Sequence, residues 1–363
     1  MISVYALTDP RDPANTSGTA AWLINLRNGL GMISDRLEAG GDREDRLAFR
    51  GLRKRIEEEL LDLDPAARAR SIAWILDADG YSERFSLQLP LRGDVAVANA
   101  KPFVSPLVDI ADRGAPTGVI LVGGELVRLV QIEQAEATEP ENSSYELTLG
   151  DWRPFGGTAG GSPARGLQAV SHQERYRARV EAQRDQLFEA AATQTAKRLD
   201  SLGWERIVLV SERQVATRFR ESLPSEVSER VIAEADLNLV AGDPTAIADA
   251  VEPLIEDAWL NRTTALIELA HERARGGGAA TIGAQETLGA LAEGRVDHLV
   301  LDPDHDFSSA AGMIPPSIEG PSEMLGERAV EAAIGTSARV NALATTKSET
   351  LREAGGMVAL LRY

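Results

Sequence analysis

Trp152–Arg184 reads WRPFGGTAGGSPARGLQAVSHQERYRARVEAQR, a glycine-dense loop that opens straight into a long helix. Tyr176, Val180, Leu187, Ala191, Thr195 and Leu199 keep a helical period, so the sequence predicts a helix over Gln168–Leu202 with that stripe buried. Arg153, Arg165, Arg175, Arg177, Arg179 and Arg184 face only Glu174 and Glu181 here, in a chain whose formal net charge is −18. Positive charge is therefore concentrated against the overall trend. A loop beside an arginine face suits a phosphate-rich surface, because the planar guanidinium matches phosphate bidentately. A Gly/Pro loop ahead of an ordinary solvated helix accounts for the composition about as well.

Outward from this stretch, GVILVGG and ELVRLVQIEQ read as a hairpin turning at Gly123-Gly124, followed by the acidic loop EATEPENSS and the strand YELTL. After the long helix comes the apolar strand RIVLVSE. Toward the N-terminus, ISVYALT is a strand, helices are expected over Gly18–Leu37 and Arg43–Leu63, and Asp64-Pro65 marks a further helix start. Leu47, Leu52, Ile56, Leu60 and Leu63 form the expected inner face of the second helix, and SIAWILDADG pairs with ERFSLQLP. Toward the C-terminus, Asp243 caps a helix that Gly276–Gly278 stops. Helix Gly283–Glu293, strand HLVLDP, a loop through Ile314-Pro315-Pro316, helix Ser322–Ile334 and the strand MVALLRY follow. The expected fold class is α/β, with three α/β domains in tandem at 1–100, 101–241 and 242–363. The middle domain should hold a mixed sheet with a long helix, the last an α/β/α sandwich.

The 363 residues contain no cysteine, which excludes disulfides, thiolate zinc sites and cysteine nucleophiles. No stretch approaches about 18 apolar residues, so no membrane partner is expected. MISVYALTDPRDPANTSG lacks the basic-then-apolar order of a signal peptide, and the cytoplasm is the expected location. Strong acidity argues against diffuse binding to nucleic acid, though not against one local basic face. The 34 arginines against four lysines reflect genome composition more than function.

GGTAGGSP has the glycine spacing of a P-loop at Gly156 and Gly161, but Ser162 and Pro163 stand where lysine and Ser/Thr belong, so nucleotide hydrolysis is not expected. Asp302–Phe307, DPDHDF, begins like a calcium loop, yet Phe307 replaces the glycine and Met313 the bidentate glutamate. His172, His271, His298 and His305 show no paired-ligand spacing, and no metal or cofactor is expected. Gln168, His172, Arg175 and Arg179 are spaced to share one polar helix face beside the loop.

The order of four segments resembles the second and third domains of the archaeal and eukaryotic class-1 release factor and of Pelota, with the bacterial branch of that superfamily the nearest match. They are KPFVSPLVDIADRGAPTGVILV, GGSPARGLQAVSHQERYRARVEAQ, RIVLVSE and ETLGALAEGRVDHLVLDP, covering roughly Lys101–Tyr363. The resemblance implies a ribosome-associated translation factor acting where tRNA enters, in rescue or hibernation, with ribosomal RNA or tRNA as partner and a translational GTPase as a further one. It implies contacts through Gly156, Gly157, Gly160, Gly161, Ser162, Arg165, Gln168, His172, Arg175 and Arg179. Release factors carry Gly-Gly-Gln in this loop, whereas Gly160-Gly161 are followed here by Ser162. Gln168 is the one weak catalytic candidate, and binding without catalysis is the favoured expectation. The alternatives are a peptidyl-tRNA hydrolase using Gln168 and a non-enzymatic protein-interaction module.

Overall fold

The computed structural model describes residues 1–16, 18–61, 69–147, 163–310, 315–318 and 324–363, and for 163–173 and 309 the backbone alone. It divides into two compact units, one of residues 1–114 with 259–363 and the other of residues 115–258.

The first unit opens with strand β1 (Ile2–Ala6), the short helix α1 (Pro13–Thr16) and the paired helices α2 (Ala21–Gly40) and α3 (Arg43–Leu61). Strands β2 (Ser71–Leu76), β3 (Ser82–Leu87) and β4 (Val95–Ala98) then complete an antiparallel sheet in the order β3-β2-β1-β4. Trp22, Leu26 and Leu30 from α2, with Phe49, Ile56 and Leu60 from α3, close over Val4, Ile72 and Trp74. Leu47, expected on that inner face, is 55% exposed, and Phe49 takes its place in the core. The expected helix start at Asp64-Pro65 lies outside the described residues. Helix α4 (Ser105–Arg113) follows and lies against the C-terminal sheet of the same unit.

The second unit carries the hairpin β5 (Thr117–Val122) and β6 (Leu126–Glu133), then β7 (Glu136–Thr138) and β8 (Ser144–Glu146). Helix α5 (Pro163–Arg198) leads to β9 (Arg206–Ser211), α6 (Arg213–Arg220), α7 (Ser225–Ser228), β10 (Val231–Ala235) and the start of α8 (Pro244–Arg275). The sheet runs β10-β9-β5-β6-β7, with β8 also on β6. Strands β10, β9 and β5 are parallel, while β6 runs antiparallel to β5, so the sheet is mixed as expected. Side chains alternate along each strand and feed two cores. Ile120, Val122, Leu129, Ile207 and Leu209 meet α5 on one face, and Val119, Leu121, Val130, Val208 and Val210 meet Ile247 and Val251 of α8 on the other. Asp243 caps α8 as expected, its Oδ1 accepting from the Ala246 amide at 3.0 Å.

Back in the first unit, β11 (Ala280–Ile282), α9 (Ala284–Ala292), β12 (Val296–Leu301), α10 (Leu325–Gly335), β13 (Arg339–Ala342), α11 (Glu349–Glu353) and β14 (Met357–Leu361) form a sheet ordered β11-β14-β12-β13. Helices α9 and α10 cover one face through Leu288, Leu291, Val330 and Ala333. The second half of α8 covers the other through Trp259, Ile267 and Ala270. This is the expected α/β/α layering. Helix α10 runs from Leu325, and the expected start at Ser322 lies outside the described residues.

Candidate nucleic-acid interface

Helix α5 is 36 residues long, about 54 Å at 1.5 Å per residue. It begins at Pro163, not at Gln168 as the sequence suggested. Proline suits a first helical position, because its missing N–H would have had no partner there.

The C-terminal half of α5 is bound into the unit. Leu187, Phe188, Ala191, Ala192 and Leu199 are buried against the sheet, and Phe188 meets Phe219 edge-on with ring centroids 5.3 Å apart. Thr195, also in the expected stripe, is fully buried, and its hydroxyl donates back to Ala191 O at 2.9 Å. Arg198 donates to Tyr145 Oη, Glu141 O and Asn142 O at 2.7 to 2.8 Å. A cation at this end also complements the helix dipole. Arg184 likewise serves the fold, its Nε donating to Gly124 O at 2.8 Å, and so leaves the basic surface the sequence suggested.

The N-terminal half differs. From Glu174 to Ala182 only Tyr176 and Val180 are even half-buried, and Glu174, Arg175, Arg177, Arg179 and Glu181 are exposed. The expected stripe therefore reaches full burial only from Leu187 onward. Leu187 stands 24 positions after Pro163, on the order of 36 Å of helix. Arg175 and Arg179 are one turn apart on this segment.

Gly156, Gly157, Gly160, Gly161 and Ser162 lie outside the described residues. Arg165, Gln168 and His172 sit on helical backbone whose side chains are not described. Gln168 is thus six positions along from Ser162 and inside α5, not in the glycine loop. A glutamine there shares the helix's fixed backbone and lacks the freedom of a loop residue.

The acidic run after β12 holds a turn together. Asp302 accepts from the Asp304 amide at 3.1 Å and from the Thr345 amide at 2.7 Å. Asp306 accepts from the Ser308 amide at 2.9 Å, and hydrogen bonding from Ser308 holds its carboxyl below the usual carboxylate range. Burial, and then the Asp302 charge, push Asp304 upward. Among the described residues no group of three or more His, Asp or Glu side chains is placed to hold a metal ion. Nor is any described helix long and apolar enough to cross a membrane.

Residues 102–256 match the family model described as bacterial archaeo-eukaryotic release factor family 10. The match spans nearly the whole of the second unit, α5 included, and bears out the resemblance read from the sequence. The crystal structure of an archaeal translation termination factor, aRF1, aligns at 15% identity over 100% of this chain and 92% of that one, with a TM-score of 0.24. Dom34 of S. cerevisiae, a translation termination-like factor, aligns at 11% identity over 83% of each chain, with a TM-score of 0.42. Pelota of Archaeoglobus fulgidus aligns at 12% identity over 81% of this chain and 79% of that one, with a TM-score of 0.37. No curated protein matches the chain.

Proposed function

We propose that the protein is a ribosome-associated translation factor of the rescue or hibernation type, binding where tRNA enters the ribosome. The observation that carries this reading is α5, whose exposed Arg175 and Arg179 stand in a region matching a release-factor family. In this reading the middle domain, 101–241, carries Gly156–Gln168 toward the peptidyl-transferase centre. The arginine face then grips ribosomal RNA or tRNA by its phosphates. The domain at 242–363 serves as a docking module, for which a translational GTPase is a fitting partner.

Binding without peptide release is the form of this function that the loop chemistry favours. Ester hydrolysis needs an aligned water and a donor to the developing oxyanion within about 3 Å. Ser162 is shorter than glutamine, and Pro163 behind it removes one amide and restricts Ser162 to extended conformations. Co-sedimentation of the purified protein with ribosomes tests the binding, and release of labelled peptide from loaded ribosomes tests the chemistry. The expected result is sedimentation with ribosomes and no release above background. Failure to sediment overturns the reading. Release that vanishes in Gln168→Ala would replace it with a hydrolase.

A further inference from the structure

Helix α3 carries cations in an order that its own turn-to-turn chemistry does not explain. Toward its C-terminal end each cation has a carboxylate four residues on. Arg53 meets Glu57 at 2.9 Å, Lys54 meets Glu58 at 3.7 Å and Arg55 meets Glu59 at 2.7 Å. One turn earlier the pattern fails. Four residues beyond Arg46 stands Arg50, and four beyond Arg50 stands Lys54. Asp42, four residues before Arg46, is engaged as the helix cap, its Oδ1 accepting from the Asp45 amide at 2.8 Å. Arg46 and Arg50 accordingly form no side-chain hydrogen bond or ion pair with any described residue. Like charges at this spacing destabilise a helix.

These two arginines open, with Arg53, onto a cleft between α2 and α3. Its floor is apolar, made by buried Phe49 and half-buried Leu37. Its α2 wall carries Ser34 and Glu38, an exposed carboxylate within 4 Å of no cation among the described residues. One wall thus offers guanidinium donors for an anion. The other offers a carboxylate, which repels phosphate and accepts from neutral O–H or N–H donors, beside a hydroxyl that can donate or accept.

We propose that this cleft binds a free nucleotide, Arg46 and Arg50 taking its phosphates and Ser34 with Glu38 taking its ribose hydroxyls. A plain anion uses only the arginine wall, and a neutral sugar only the other. A ligand with phosphate at one end and a vicinal diol at the other uses both. The bound phosphates also relieve the repulsion between Arg46 and Arg50.

Isothermal titration of the full chain at low salt, with ADP, inorganic pyrophosphate and a short oligoribonucleotide lacking terminal phosphate, tests this. ADP should bind, and Arg46→Ala with Arg50→Ala should weaken it by at least about a hundredfold, since both guanidinium donors to the phosphates are removed. Glu38→Gln should weaken ADP about fivefold while pyrophosphate binds as well or better, since a repelling charge has gone. The double alanine variant should melt no lower than the wild type without ligand, and ribosome sedimentation should not change. Absence of ADP binding, or equal ADP affinity in the double variant, overturns the proposal. So does oligoribonucleotide binding that ADP does not displace and the double alanine variant loses, which would make the cleft a polynucleotide groove.

Discussion

Asp112 on α4 accepts a hydrogen bond from the indole Nε1 of Trp259 on α8 at 2.5 Å, and the side-chain amide of Asn341 on β13 donates to the same carboxylate oxygen. Three elements far apart in sequence therefore meet on one carboxylate. Trp259 is 5% exposed and Asn341 4%, so water cannot replace a lost acceptor. Asp112→Ala should destabilise the first unit by about 2–5 kcal/mol, because two buried donors lose their partner. Urea unfolding followed by tryptophan fluorescence checks this. Trp259→Phe, which removes one donor and leaves the Asp112 carboxylate paired with Asn341, should cost clearly less.

His298 stands on β12 with its Nε2 against Asn341 Oδ1. As the Asn341 amide nitrogen serves Asp112, its oxygen faces His298, and the neutral Nε2–H tautomer completes the chain. Burial holds the imidazole below its usual value of 6.5, with Arg262 and Arg339 adding to that and Asn341 and Asp112 opposing it. The unfolded chain thus binds a proton before the folded one does. Stability from this group is present above about pH 6.5 and is lost as pH falls toward the folded-state value. His298→Gln should flatten that part of the stability curve, measured as urea midpoints from about pH 8 to pH 5.

Gly118 lies mid-strand in β5, between β6 and β9, where an added Cβ would stand 2.3 Å from the Trp204 ring. Trp204 is fully buried, and its Nε1 donates to Gln131 Oε1 at 3.0 Å, so the ring cannot swing aside. Gly118→Ala should cost about 1–3 kcal/mol through overpacking, read as a lowered thermal midpoint.

Arg175→Glu with Arg179→Glu should weaken ribosome binding and flatten its salt dependence by nearly one unit of log–log slope for each phosphate left unneutralised. Both side chains are exposed, so stability should change by no more than about 0.5 kcal/mol. Sedimentation across a salt series checks both points, and unchanged affinity in a folded double variant would reduce α5 to a solvated surface.

The elements legible in the sequence are those whose apolar residues alone settle the matter. The hairpin of β5 and β6, the strand β9, the second half of α5 and the capped α8 all belong here. Helix α4 and strand β13 were not legible, and the reason lies in what they bury. Helix α4 turns Ser105 and Asp109 inward, and Asp109 is satisfied by Arg92 at 3.0 Å and by Arg113. Strand β13 buries Asn341, whose partners lie on α4, α8 and β12. A polar residue reads as surface until its distant partner is known. Strand β10 is half-buried along VIAEA and carries little alternation to detect. In the candidate site, the spacing of Arg175 and Arg179 was enough to put them on one exposed face. Leu47 misled because its helical spacing was right and its face wrong. The arginine cleft is not legible in the sequence, since it depends on two helices meeting.

Glu327 on α10 receives the Val104 amide at 2.5 Å, the Ser105 amide at 3.0 Å and the Ser105 hydroxyl, and so caps α4 across 222 residues of chain. This arrangement sets an order of events during synthesis. Residues 115–258 are contiguous and have every strand of their sheet to hand once β10 has emerged. Helix α4 is made before them, yet its first turn lacks its acceptor until α10 is translated. The inserted unit is therefore free to complete itself before α4 and the C-terminal sheet of the first unit, which wait on the most distant contacts, the slowest kind to close.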